Sequence, residues 1–103
     1  MADLQTSDQT DGVVTLRLSG SLDEADVTPT LRQARELLRP AGTHTLIVDL
    51  AEVAFIDSSG LGLLVSLRQL AEDRGAHFAL RQVPERVTRL LHLTGLMGYL
   101  AAQ

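Results

Sequence analysis

Apolar and polar positions alternate over residues 13–19, with Val14, Leu16 and Leu18 set against Val13, Thr15 and Arg17. A period of two puts each set on its own face of an extended chain, which predicts a half-buried strand closed by Gly20-Ser21. The period then changes. Thr28-Pro29 offers a capping hydroxyl and a proline suited to a first helical position, and Leu31, Ala34, Leu37 and Leu38 fall on one helical stripe. Arg32, Arg35, Glu36 and Arg39 lie mostly outside that stripe, and Pro40 and Gly42 close the helix. The run Leu46-Ile47-Val48 is too short for a helix between such breakers, so residues 43–50 are predicted as a core strand.

A second apolar run, from Val53 to Ile56, leads straight into Asp57-Ser58-Ser59-Gly60. Leu61, Leu63, Leu64, Val65, Leu67 and Leu70 follow, which predicts a helix over 58–73 ended by Arg74-Gly75. Residues 77–83 make a third strand candidate with Phe78 and Leu80 on one side. Pro84 starts another helix, with Val87, Leu90 and Leu91 toward the core, Arg86 and Arg89 outward, and Gly95 as its stop. The short apolar segment 96–103 reads as a last edge strand. The first ten residues are either frayed or a weak edge strand. Strands and helices in alternation describe an α/β layer protein with a sheet of mixed or largely parallel strands. At 103 residues the chain is one domain, 1–103.

Composition removes many function classes. With no cysteine there is no disulfide, thiolate nucleophile or cysteine-containing zinc site. All nine basic residues are arginine, so there is no lysine for a P-loop, a Schiff base or a kinase-type phosphate contact. A net charge of −4, scattered arginines and one Tyr with two Phe argue against nucleic-acid binding. No apolar stretch approaches the roughly 20 residues that span a bilayer. The acidic N-terminus does not read as a secretory signal, so a cytoplasmic location is expected.

The serine pair needs weighing as ordinary capping first. A Ser or Asp ahead of an apolar helix accepts from orphan N–H groups of the first turn, and the same groups and the helix dipole favour a phosphate there. Capping does not account for Gly60 and Gly62, each costing about 1 kcal/mol relative to alanine inside a helix. Glycines in a first turn expose backbone and permit another surface to approach the serine. A hydrolase fits poorly, because the nucleophile elbow is Gly-x-Ser-x-Gly and here Asp57 precedes Ser58. None of His44, His77 and His92 is singled out by spacing as a triad partner, and no metal-ligand spacing occurs. Asp23, in Gly20-Ser21-Leu22-Asp23, is a turn or capping residue. If its strand and the strand before Ser58 run side by side, the two residues share one edge of the sheet.

The segments GSLDEAD at 20–26, LIVDLAEVAFIDSSGLGLL at 46–64 and VPERVTRLLHLTGL at 83–96 resemble the STAS domain, in particular bacterial anti-sigma factor antagonists. The resemblance implies a mixed sheet of about four to five strands packed against three to four helices, with the family's C-terminal helix shortened or absent here. It implies a non-enzymatic binding protein without a cofactor of its own, whose partner is an anti-sigma factor serine kinase supplying ATP and Mg. Binding would free a sigma factor, phosphorylation of Ser58 would break the complex, and a phosphoserine phosphatase would restore it. Asp23 falls in the family's Gly-x-Leu-Asp motif at the kinase-facing edge. Asp57, Ser59, Gly60, Leu61, Gly62 and Leu64 are the further expected partner contacts, with Leu61 as the exposed apolar anchor. Direct nucleic-acid and membrane partners are not expected. The alternative is a non-switching STAS accessory subunit of a transporter ATPase or a sensory assembly.

Overall fold

The computed structural model describes the backbone of residues 3–101 and the side chains of residues 11–100. The strands are β1 (Asp3–Thr10), β2 (Val13–Leu22), β3 (Thr45–Ile56) and β4 (His77–Arg81). The helices are α1 (Glu24–Leu37), α2 (Ser58–Asp73), α3 (Glu85–Leu93) and α4 (Met97–Ala101). The sheet order is β1-β2-β3-β4. Its parallel part has three strands, β2, β3 and β4, and β1 pairs antiparallel with β2 as an edge strand, so the sheet is mixed. The first ten residues therefore form a strand from Asp3 onward, and residues 1 and 2 lie outside the described residues.

Two strands run further than their punctuation predicts. Gly20 does not end β2. It has φ +79° and lies at a register irregularity between Gly20 and Ser21, so it passes the chain through a bulge and pairing continues to Leu22. The two apolar runs of residues 46–56 are likewise one strand. Between Arg17/Asp49 and Ser19/Glu52, and again between Gly20/Val53 and Ser21/Phe55, β3 carries one more residue than β2. The buried apolar positions of β3 are accordingly Leu46, Val48, Leu50, Val53 and Ile56, two apart before the bulges and three apart across them. A strict period of two would have turned Val53 and Ile56 away from each other; the extra residues bring both back to the core.

Helix α1 starts earlier than Thr28-Pro29 suggests. Asp23 caps it, accepting from the Ala25 N–H at 3.0 Å, while Asp26 accepts from the Asp23 N–H at 3.0 Å, a reciprocal box that fixes the helix start five residues upstream of the threonine. Pro29 consequently lies inside the helix, where it forgoes the bond to the carbonyl four residues back. Met97–Ala101 is helical rather than an edge strand, and residues 102 and 103 lie outside the described residues. Strand β4 ends at Arg81, before Gln82 at φ +54°, and α3 begins at Glu85 with Pro84 in the cap position.

One apolar core joins the elements: Val14, Leu16, Leu18 and Leu22 of β2, the five inward residues of β3, Phe78 of β4, and Leu63, Leu64, Leu67 and Ala71 of α2. Ala34, Val87, Leu91 and Leu100 seat the other helices against it. Helices α1 and α2 lie side by side, as expected of two successive crossovers stepping the same way along a parallel sheet.

Candidate functional site: two capped helix starts at one sheet edge

Parallel pairing sets the site. Leu22 pairs with Ile56 at the last position of the β2–β3 ladder, so both chains leave the sheet at the same edge and in the same direction. Each is followed by an aspartate and then by a helix. Asp23 caps α1, and Asp57 caps α2 through its Oδ1, which accepts from the Gly60 N–H at 3.0 Å. Both caps have extended backbone, φ −134° at Asp23 and φ −111° at Asp57. The cap turns are joined directly, since the Asp57 N–H donates to the Leu22 carbonyl at 3.4 Å. The adjacency of Asp23 to the serine motif that the sequence left conditional is thereby met.

Asp57 performs the capping. Ser58 is the first helical residue and is exposed, so its hydroxyl is presented to solvent at the positive end of the helix dipole. Ser59 is half-buried, as are Asp23 and Asp57. The first turn of α1 adds Glu24 and Asp26 to this edge, whereas the first turn of α2 carries no acidic residue beyond its cap. A hydroxyl here stands in the N-terminal field of α2, next in the chain to the Asp57 carboxylate and at the same sheet edge as Asp23. Such a position attracts an added phosphate locally and makes the surrounding surface more negative once the phosphate is present.

The remaining expected contacts divide by burial. Leu61 is 8% exposed and Leu64 is 0% exposed, so neither is the exposed apolar anchor expected of Leu61; both face the sheet because the helical stripe that builds the core begins at the first turn. Gly60 is buried too. A Cβ added there would stand 2.6 Å from Ile56 Cγ1, 2.7 Å from the Leu22 carbonyl oxygen and 2.9 Å from Leu22 Cβ. Its lack of a side chain serves close packing inside the molecule and not the approach of a partner. Gly62 is exposed with open space around its Cα, and is the glycine of the pair that faces outward.

Two residues near the site were not anticipated. Phe55, two positions before Asp57, is 50% exposed, because the second bulge of β3 turns it away from the core. Arg86 of α3 donates from Nη1 to the Ala54 carbonyl at 3.0 Å, fastening the unpaired outer side of β3 where β4 has already ended. Phe55 is signalled in the sequence only as the aromatic member of an apolar run.

His44 and His77 lie away from Ser58. His44 binds the Asp11 carbonyl through Nε2 at 3.0 Å and Thr45 Oγ1 through Nδ1 at 2.8 Å, at the start of β3 and so at the opposite edge of the sheet. His77 opens β4 at that same far edge, and His92 belongs to the last turn of α3. Among the described residues no cluster of three or more His, Asp or Glu side chains could hold a metal ion. Among them, too, no helix is long and apolar enough to cross a membrane.

A sequence model described as "Mlab, STAS domain" matches residues 6–101. The chain belongs to the STAS domain family. This STAS domain is 36% identical over 81 residues to an anti-sigma-B factor antagonist of Staphylococcus epidermidis, covering 79% of this chain and 74% of the relative. Among solved structures it is similar to an anti-sigma factor antagonist from Mycobacterium paratuberculosis, with a TM-score of 0.75 and 26% identity over 96% of this chain and 82% of that one. Its fold also matches the anti-sigma factor antagonist SpoIIAA in two states. The unphosphorylated form gives a TM-score of 0.76 at 24% identity, covering 98% of this chain and 85% of that one. The phosphorylated form gives 0.70 at 23% identity, covering 98% and 88%.

Proposed function

We propose that this STAS domain is an anti-sigma factor antagonist whose binding to an anti-sigma factor serine kinase is switched off by phosphorylation of Ser58. The observation that carries the reading is the division of labour at the start of α2: Asp57 makes the cap, and the Ser58 hydroxyl stands exposed beside it. Relatives named as anti-sigma factor antagonists support the class of partner. Unphosphorylated, the edge formed by Asp23, Asp57, Ser58, Ser59 and Gly62, with Phe55 as its apolar member, docks on the kinase and frees the sigma factor. Gly60, Leu61 and Leu64 act from beneath, by holding the first turn of α2 in place.

In the switching step Ser58 Oγ attacks the γ-phosphorus of ATP held with Mg by the partner. The bond from that phosphorus to the ADP oxygen breaks as the Oγ–P bond forms, and the hydroxyl proton leaves to a base on the partner. The STAS domain supplies the acceptor and no catalytic group. The product carries about −1.5 to −2 charge at pH 7. The helix start tolerates it, since free N–H groups and the dipole face it. The interface does not, since a surface fitted to a neutral hydroxyl now meets a desolvated dianion next to Asp57 and Asp23. A phosphoserine phosphatase returns the protein to its binding state, and the cycle runs in the cytoplasm.

The test is phosphotransfer with the native kinase and ATP, followed by mass spectrometry of the product. One phosphate, on Ser58, is expected. A phosphate on another residue overturns the reading, as does the absence of phosphotransfer together with stable co-purification with a transporter ATPase, which is the outcome expected of an accessory subunit. By calorimetry Ser58→Ala should keep kinase affinity and Ser58→Asp should lose it; equal affinities would refute the switch.

A further inference from the structure

Leu22 stands between the two caps. Its carbonyl accepts from the Asp57 N–H at 3.4 Å, its residue pairs with Ile56 in the sheet, and the next residue is Asp23. Helix α2 presses on the same group, because a Cβ at Gly60 would come within 2.7 Å of the Leu22 oxygen and 2.9 Å of Leu22 Cβ. Contacts under 3.0 Å to backbone cannot be relieved by turning a side chain, so any residue larger than glycine must push the first turn of α2 away from the end of β2. That turn carries Ser58 and Ser59, and the end of β2 carries Asp23.

We infer that Gly60 is a positioning residue: by seating α2 on the Leu22 carbonyl it sets the separation of Ser58 from Asp23, so the two capped helix starts form one rigid recognition unit. The inference deepens the proposed function and rests on it for the kinase measurement alone. A partner that reads Asp23 and Ser58 together requires both at one spacing, and displacement of a reacting group by a fraction of its working distance is enough to slow group transfer severalfold to a hundredfold. Gly62, with open space around it, is under no such packing constraint.

Two measurements test this, one of them independent of any partner. In native-state amide exchange, Gly60→Ala should speed exchange of the Ala25 N–H, which bonds the Asp23 carboxylate, by about tenfold. Ala71→Gly, which loosens the same helix at a buried position away from Leu22, should leave that amide unchanged relative to global stability. In the kinase assay Gly60→Ala should lower kcat/KM for Ser58 by about tenfold in the natural chain. In an Asp23→Ala background the same change should cost less than about threefold, since the spacing no longer has a second end to be read. If Gly60→Ala does not fold, Ile56→Ala with Gly60→Ala is compared with Ile56→Ala alone; the new methyl then meets only Leu22 among its nearest contacts. Unchanged exchange at Ala25, or equal kinetic factors in both Asp23 backgrounds, overturns the inference. Failure of the natural protein to accept phosphate at Ser58 instead overturns the proposed function, while the exchange result still decides the role of Gly60.

Discussion

Removing the Asp57 carboxylate separates capping from switching. In Asp57→Ala the Gly60 N–H, now held at 3.0 Å by Asp57 Oδ1, loses its partner in a turn packed against β2. Loss of an N-cap side chain costs about 1 kcal/mol, and loss of a negative charge at the helix start adds about 0.3–1 kcal/mol. A total of about 1.5 kcal/mol follows for this substitution. For a domain of this size, with an unfolding entropy of roughly 0.2 kcal/mol per kelvin, that corresponds to a Tm lowered by about 7 °C. Ser58→Ala contributes no such loss, because its hydroxyl is exposed and outside the cap, and alanine favours the helix by up to about 0.5 kcal/mol over serine. Its Tm should equal or slightly exceed that of the natural protein. Asp57→Asn should recover most of the lost stability, since the amide oxygen still accepts. Thermal denaturation by circular dichroism, with urea titrations to check two-state behaviour, gives all three values. If Ser58→Ala were as destabilising as Asp57→Ala, Ser58 would be the cap, and its availability as a phosphate acceptor would lose its structural basis.

Other substitutions examine the burial of the motif and the character of its surface. Leu64→Ala, at a fully buried position of α2, should destabilise the fold by about 3 kcal/mol in urea unfolding, whereas a surface contact residue would cost almost nothing. Phe55→Ala should leave free-protein stability within about 0.5 kcal/mol and weaken kinase binding by about 1–2 kcal/mol in calorimetry; unchanged affinity would remove Phe55 from the interface. Ser58→Asp should keep the far-ultraviolet spectrum of the natural protein while binding the kinase at least about a hundredfold more weakly, the pairing of intact fold with lost affinity that a charge placed at an interface produces.

Much of the architecture was legible because it depends on local periodicity. The helix over Ser58–Asp73 matches its prediction at both ends, since a polar cap, an unbroken apolar stripe and a terminal glycine are all properties of neighbouring residues. The misjudged boundaries have causes outside their own residues. Gly20 read as the end of one strand, Leu50 as the end of the next and Thr28-Pro29 as a helix start, but bulges in the β2–β3 ladder carry both strands on, and the reciprocal Asp23–Asp26 cap starts α1 upstream of Pro29. Residues 96–103 show the same limit from the other side, because five residues of short apolar chain suit a strand or a helix, and only packing against β4, α2 and α3 makes Met97–Ala101 helical.

At the site the division is similar. The sequence by itself determined that an aspartate and two serines stand between an apolar strand and an amphipathic helix, that no lysine or cysteine chemistry is available, and that Asp23 follows a second strand. Those are matters of residue type and spacing along one chain. Tertiary structure decided that the two strands are parallel neighbours ending at the same rung, which brings Asp23 beside the serine motif. It also decided that Asp57 caps while Ser58 stands free, that Leu61 and Leu64 belong to the core, and that Phe55 does not. The two β3 bulges turn Phe55 outward and the seat of Gly60 on Leu22 fixes the first turn of α2 against β2, and both are contacts between segments more than thirty residues apart, where side-chain periodicity carries no information.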